Sequence, residues 1–417
     1  MTRHFMKRTV FVLGTAFLAL VLGVVIFELL AIAVLTLKEH RYVGARELLR
    51  REEGTFVGDV TRADSKCQYI DSLFPHPYVA FVHHANQPCG LPGINNVGLF
   101  GTDFPSEKRP DRFVILLTGG SVAAQFGQLI PGGPKYLEEI LNASYASPTG
   151  RQFLVLNGAD GGWKQPQQAI LFLLYSDVVD AVVTLDGYNE HSFAIGAAPF
   201  RFEYPATNFM TVNPLADSRY DVVASRWLLG RLVGYARRSQ VLSRSHGVVM
   251  IVRVLRSAVE RLSASSGERK TTVQSIFAFP ADWDREKRRQ YGMEQYRKYI
   301  RAIDVLAADR GVLSAHFIQP CPAIGKRLTP EEQAVVGDLS YAGTYAQMTE
   351  GLLTLRQQGF KIFSLLQLFQ DVDHTLYEDH AHMKKDARGE SEGYRRMASA
   401  IAQILAGEWG LKPRARR

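Results

Sequence analysis

Residues 113–127 read FVILLTGGSVAAQFG, and this stretch decides the architecture. The apolar run Phe113 to Leu117 reads as a buried strand. Gly119-Gly120 then form a tight turn, and Ser121 opens a helix. Further strand-like runs lie at 153–157, 181–185, 312–319 and 360–366. Helical stretches lie near 134–142, 165–176, 291–309, 344–358 and 392–407. Strands alternating with helices predict an α/β fold, a parallel sheet covered on both faces. In such sheets ligands sit at the carboxyl ends of the strands. Ser121, Gly162 and Asn189 each follow a strand within a few residues, so all three are expected at that end.

Three further segments carry chemistry. NGADGG spans Asn157 to Gly162, GYNE spans Gly187 to Glu190, and DHAH spans Asp379 to His382, just before a C-terminal amphipathic stretch. A Ser, a His and an Asp are the components of an activated hydroxyl nucleophile. The chain order is Ser, Asn, Asp, His.

With GGS at 119–121, the glycine of NGADGG, GYNE and DHAH in that order, the chain resembles the SGNH (GDSL-like) hydrolases over roughly residues 96–409. Glu190 stands where that family's third block has Asp, and a long insertion follows it. The resemblance implies a flavodoxin-like three-layer fold and an esterase. It makes Ser121 the nucleophile, His382 the base and Asp379 the group that holds the imidazole. It also implies an oxyanion hole made from the backbone N–H of Ser121, the backbone N–H of Gly162 and the side-chain amide of Asn189. No metal or organic cofactor is implied. The substrate expected is an O-acylated envelope glycan or lipid, attacked through an acyl-Ser121 intermediate. Acyl transfer to a cell-surface polysaccharide, or an inactive envelope assembly protein, are the alternatives.

Each residue also has a plainer reading. Ser121 suits a helix N-cap, Gly162 a tight turn, and Asn189 a turn. Asp379 and His382 suit a surface cap on the final helix. His374, Glu378, Asp379, His380 and His382 crowd one segment and suggest a metal site as a rival. No second ligand cluster accompanies them. His191 reads as a lid or site-edge residue.

The N-terminus has another character. Thr9 to Phe27 carries no charge, and Glu28 is the only charge before Lys38. Nineteen such residues suffice for a membrane-spanning helix. The run exceeds an ordinary secretory signal, although Ala31-Ile32-Ala33 has the small-residue form of a cleavage site. Residues 1–8 are expected as a cytoplasmic tail, 9–37 as a signal anchor in the cytoplasmic membrane, 38–95 as a stalk and loop region, and 96–417 as the catalytic domain, outside the cytoplasm. Arg3, Lys7 and Arg8 precede the span. Lys38, Arg41, Arg46, Arg50 and Arg51 follow it, interleaved with acids.

Between about 191 and 290 the strand–helix alternation breaks. Residues 191–216 suggest an irregular lid. Residues 218–270 hold eleven basic and three acidic residues, an excess equal to the whole chain's net +8. With interspersed aliphatics they read as one or two basic amphipathic helices facing an anionic surface, or as a solvated face packed on the core. No nucleic-acid motif accompanies the charge. Cys67 and Cys89 suit a disulfide in an oxidising compartment or two free thiols, and Cys321 has no evident partner.

Overall fold

The computed structural model describes residues 2–54, 73–84, 93–128, 133–205, 220–264, 275–386 and 388–414. Cys67, Cys89 and the 206–216 part of the expected lid lie outside these residues. In chain order the elements are α1 (Thr2–Glu39), α2 (Ala45–Gly54), β1 (Leu73–His76), β2 (Ala80–His83), β3 (Arg112–Gly119), α3 (Ser121–Phe126), α4 (Tyr136–Ser144), β4 (Tyr145–Ala146) and β5 (Gln152–Ala159). Next come α5 (Gln167–Tyr175), β6 (Ala181–Asp186), α6 (Tyr188–Ala194), α7 (Tyr220–Arg238), α8 (His246–Ala264) and α9 (Arg285–Arg310). The chain continues through β7 (Leu313–Ile318), α10 (Pro330–Val335), α11 (Ala342–Leu353), β8 (Ile362–Ser364), α12 (Glu392–Glu408) and β9 (Lys412–Pro413). Two compact units result, one of residues 1–66 and 214–271, the other of residues 67–213 and 272–417.

The larger unit is an α/β domain. Its five-stranded sheet runs β5-β3-β6-β7-β8, every pairing parallel. Counted along the chain, the sheet strands stand in the order 2-1-3-4-5, the flavodoxin-like winding. Side chains alternate across each strand. Phe113, Ile115 and Leu117 face one layer with Ala181, Val183 and Leu185, under residues of α4 and α12 such as Leu141, Ile401 and Leu405. Val114 and Leu116 face the other, with Leu156 and Val182, against Leu171 and Phe172 of α5 and Ile303 and Ala307 of α9. Burying each Val, Leu, Ile or Phe side chain among them contributes roughly 1.5–3 kcal/mol over leaving it exposed. Strands buried on both faces explain why these segments read as unbroken apolar runs.

Helix ends follow local chemistry. Asp284 caps α9 by accepting from the Lys287 N–H at 2.8 Å, and Gly311 ends it at φ +63°. The sequence places a helix at 344–358. The structure ends α11 at Leu353 and continues in a tighter 3₁₀ turn, Thr354–Gln358. The strand expected at 360–366 is ordered as strand only over Ile362–Ser364. Residues 191–194, expected in an irregular lid, complete α6. The loop-rich 65–95 segment contains an antiparallel hairpin, β1 with β2.

The smaller unit holds α1, α2, α7 and α8. Residues 14–27 of α1 are exposed at every position. Burial starts beyond them. Ala31 and Leu35 pack in a cluster with Leu48 and Leu49 of α2, Leu229 and Val233 of α7, and Val249 and Val252 of α8. By length and composition α1 is the one helix among the described residues suited to cross a membrane. Residues 220–264, an insertion by sequence position, thus group with the N-terminal helix in one unit.

Candidate functional site

The winding order reverses between β3 and β6, and a crevice forms at the carboxyl ends of strands at such a switch point. The segment after β3 carries Ser121, and the segment after β6 carries Asn189. β5, on the other side of β3, leads to Gly162. The sheet therefore delivers all three to one end.

Glycines let the segments approach. A Cβ at Gly119 would collide with the Leu185 carbonyl and the Ala123 side chain. A Cβ at Gly120 would collide with the Asn189 amide and press on the Trp163 carbonyl. Asn189 Nδ2 donates to the Trp163 carbonyl at 2.7 Å. Its amide thus lies against the residue before Ser121 and the residue after Gly162. Ser121 itself is half-buried at the first position of α3. Gly162 takes φ +76°, and the space where its Cβ would sit is open.

A buried polar network supports these loops. Glu190 is fully buried. Its Oε2 accepts from the Gly187 N–H at 2.8 Å, and its Oε1 accepts from the Gln165 N–H at 3.0 Å and from Gln168 Nε2 at 3.0 Å. Asp186, also buried, accepts from the Tyr296 hydroxyl at 2.6 Å. Burial, then the neighbouring Asp186 charge, raises the Glu190 carboxyl above its ordinary value, and burial raises Asp186 as well. Beside them Lys164 is buried, with Nζ donating to the Gln165 carbonyl at 3.0 Å and to the Phe202 carbonyl. Burial lowers its ammonium's pKa. On the β5 side, Asp160 Oδ1 accepts from the Gly161 N–H at 2.7 Å and lies 3.3 Å from His83 Nε2 on β2.

The fourth segment precedes α12. Asp379 Oδ2 meets His382 Nδ1 at 2.8 Å, while Asp379 Oδ1 accepts from the Ala381 and His382 N–H groups at 2.8 Å each. Burial acts against the Asp379 charge, but the bonds from His382 outweigh it and hold the carboxyl well below the usual range. His382 Nε2 is buried with no hydrogen-bond partner among the described residues. Lys385, three residues on, donates to Gln125 Oε1 at 2.6 Å, one turn after Ser121. On the other flank the His380 ring sits 5.6 Å from the ring of Tyr188, next to Asn189. The Asp379–His382 loop is therefore tied to both the Ser121 helix and the Asn189 helix.

The remaining sequence candidates separate. His374 Nε2 lies 2.9 Å from Glu392, away from the Asp379–His382 pairing. His191 Nε2 lies 2.9 Å from the Thr344 hydroxyl, and burial pushes its imidazole down to about 4. Cys321 is buried and free, its thiol pushed up to about 11 by burial.

In the sequence Glu190 stands out only as a departure from the GYN-Asp pattern. The structure gives it three donors from two segments, Gly187 before α6 and Gln165 and Gln168 around the start of α5. The signal available was the polar run Lys164-Gln165-Pro166-Gln167-Gln168 directly before an apolar helix. Of these, Gln165 and Gln168 turn inward to donate to the buried carboxylates of Asp186 and Glu190, at 3.4 and 3.0 Å.

No protein-family description matches this chain, and no curated protein matches it in sequence. Among solved structures it is similar to a proposed acylhydrolase from Bacteroides fragilis, at 9% identity over 73% of this chain and 91% of that one, with a TM-score of 0.34. It is also similar to a GDSL-like lipase from Bacteroides thetaiotaomicron, at 8% identity over 71% of this chain and 89% of that one, with a TM-score of 0.31. Likeness at that level carries no argument, so function has to be read from the site.

Proposed function

We propose that the chain is a membrane-anchored serine esterase that cleaves O-acyl groups from an envelope glycan or lipid. The observation that carries this reading is the Asn189 amide held between Gly120 and Trp163, because it gathers the segments of Ser121, Gly162 and Asn189 to one point. The Asp379–His382 pair, tied to both flanking helices, supplies the remaining chemistry.

In this reading His382 takes the proton of the Ser121 hydroxyl through Nε2, the nitrogen not engaged by Asp379. Ser121 Oγ attacks the ester carbonyl. Asp379 fixes the tautomer and stabilises the imidazolium that forms. The negative charge on the tetrahedral oxygen is met by the N–H groups of Ser121 and Gly162 and by Asn189 Nδ2. Collapse leaves acyl-Ser121, and the alcohol departs with the proton from His382. Water then attacks the acyl-enzyme by the same route in reverse. The α1 helix holds the protein in the cytoplasmic membrane with the catalytic unit outside the cytoplasm.

The test is a fluorophosphonate probe applied to the detergent-solubilised full chain, with an aryl acetate as reporter substrate. Covalent labelling at Ser121, absent in Ser121→Ala, is the expected result. A wild-type chain that neither labels nor turns over any aryl ester overturns the enzyme reading and favours an assembly role. An added glycan acceptor that diverts acyl groups from water identifies a transferase.

A further inference from the structure

From Glu28 onward one face of the α1 helix is covered, while Leu29, Leu30, Val34 and Leu37 stay exposed on the other. On the N-terminal side of Glu28, residues 14–27 are exposed throughout. At Glu28 the carboxylate meets the start of α8. It accepts from the His246 N–H at 2.5 Å, the Gly247 N–H at 2.9 Å and the Ser245 hydroxyl at 2.6 Å. A carboxylate at that place satisfies amide groups that a helix start leaves open and suits the positive end of the helix dipole. Further along, Glu39 pairs with Arg253 at 3.0 Å. Ascending α1 from Glu28 to Glu39 therefore means ascending α8 from His246 to Arg253, and the two helices run parallel. The turn that leads into α8 must then lie level with Glu28 or on the side of the exposed span.

The uncharged run Thr9 to Phe27 has nineteen residues. At 1.5 Å per residue it is about 28 Å long, close to the hydrocarbon thickness of a bilayer, about 30 Å. If α1 crosses the membrane with this run alone, rather than with the whole apolar stretch to Leu37, Glu28 marks the edge of the hydrocarbon, and the α7–α8 turn lies in the headgroup layer. Its composition suits that place. Arg238, Val241 and Arg244 are exposed, Val241 to 77%. Ser243 is buried and held by Arg46 Nε at 3.3 Å, which fixes the turn on its own unit. Leu228, Leu232 and Tyr235 leave an apolar stripe on the outer side of α7, ending in an aromatic residue one turn before Arg238. An apolar tip flanked by arginines, with a tyrosine beside it, is the pattern of an interfacial contact.

We propose that the turn from Arg238 to Arg244 docks on the anionic phosphate headgroups of the membrane that α1 crosses. This rests on the reading of α1 as a membrane span. Lipid is favoured over a protein partner because the tip is continuous with that span and its charge is complementary to phosphate. The Glu28 contacts then act as a depth gauge, setting the height of the unit that holds α1, α2, α7 and α8 above the bilayer. The proposal holds for whichever leaflet faces the C-terminal side.

The test uses the full chain in phosphatidylcholine nanodiscs with and without phosphatidylglycerol. Cys67 and Cys89 are replaced by serine and the buried Cys321 is left in place. A nitroxide is attached at Val241→Cys, at Arg261→Cys on the far end of α8, and at Phe17→Cys in the span. Collision with a water-soluble nickel chelate and with oxygen reports depth. With phosphatidylglycerol present, the label at 241 should be several-fold less accessible to nickel than the label at 261, and this protection should weaken when phosphatidylglycerol is omitted. Each of Arg238→Gln and Arg244→Gln should reduce the partition of the tip toward anionic headgroups about fivefold. A label at 241 as accessible as that at 261 overturns the proposal, as does protection indifferent to phosphatidylglycerol. A label at 17 found in water overturns the span itself and the docking with it, which separates the two failures.

Discussion

The Gln165 N–H donates to Glu190 Oε1 at 3.0 Å, across 25 residues of sequence, while the other oxygen of the same carboxylate caps the helix that carries Asn189. One buried group thus holds the Gly162 loop and the Asn189 helix at a fixed spacing. All its contacts are donors, so the ionised form fits, although burial acts against it. Glu190→Gln keeps the size but turns an amide N–H₂ toward a donor. Leaving a buried donor unmet costs about 1–3 kcal/mol of stability. The two arms proposed to form the oxyanion hole would also lose their spacing. We expect kcat to fall toward the 10²–10³-fold range of a lost oxyanion donor, with KM little changed. A variant that is less stable but retains wild-type kcat would reduce Glu190 to a structural tie.

Asn189→Ala tests the donor itself. Its amide is fixed by the Trp163 carbonyl at 2.7 Å, so truncation removes a group already placed rather than one that must be ordered. The expected loss is about 2.7–4 kcal/mol of transition-state stabilisation, read in kcat on an aryl acetate. Ser121→Ala and His382→Ala should each abolish turnover, and the effects should not add in the double variant, since in the proposed mechanism the two act as a unit.

The strands were legible because they are buried on both faces and so read as plain apolar runs. The convergence of Ser121, Gly162 and Asn189 followed from where those runs end. The pairing of Asp379 with His382 was legible from a spacing of three within one loop. Glu190 was not, because its partners Gln165 and Gln168 lie on a different crossover, and the polar run that holds them does not by itself say which carboxylate they meet. The Glu28 contact with α8 was hidden for the same reason. It spans more than two hundred residues, and a lone acid inside an apolar helix carries no local sign that it caps another helix.

His191 gives a pH dependence. Burial pushes its imidazole down to about 4 from an ordinary value of 6.5. The folded state therefore resists a proton that the unfolded chain accepts. Below pH 6.5 the unfolded state binds more protons, and stability falls with pH until about 4, where the folded form also protonates. The midpoint of thermal unfolding should drop between pH 6.5 and 4, and His191→Gln should flatten that slope. An identical slope in the variant would assign the acid sensitivity elsewhere.

Topology is open to a direct measurement. Counted plainly, Arg3, Lys7 and Arg8 before the span are outnumbered by Lys38, Arg41, Arg46, Arg50 and Arg51 after it, so the proposed orientation with the N-terminus inside rests on the reading of a short basic tail before a single N-terminal helix as a signal anchor. Alkaline phosphatase fused after residue 60 should be active in the periplasm. Activity only from a cytosolic reporter at the same position would reverse the orientation and remove the setting for a Cys67–Cys89 disulfide.

Gly162→Ala separates a donor from a turn. A Cβ at this position meets nothing, so no clash enters the result. What changes is the backbone, since φ +76° is left-handed and costs a non-glycine residue roughly 1–2 kcal/mol. The loop escapes that strain by rotating toward negative φ, and the rotation redirects the peptide N–H of residue 162. If that N–H stabilises the oxyanion, kcat falls by more than the stability change accounts for, and KM stays near wild type. If Gly162 serves only the turn, the unfolding midpoint drops and kcat, measured well below that midpoint, is unchanged. Fluorophosphonate labelling at Ser121 adds a second reading. It should slow in parallel with kcat, because the tetrahedral phosphonyl oxygen draws on the same donor.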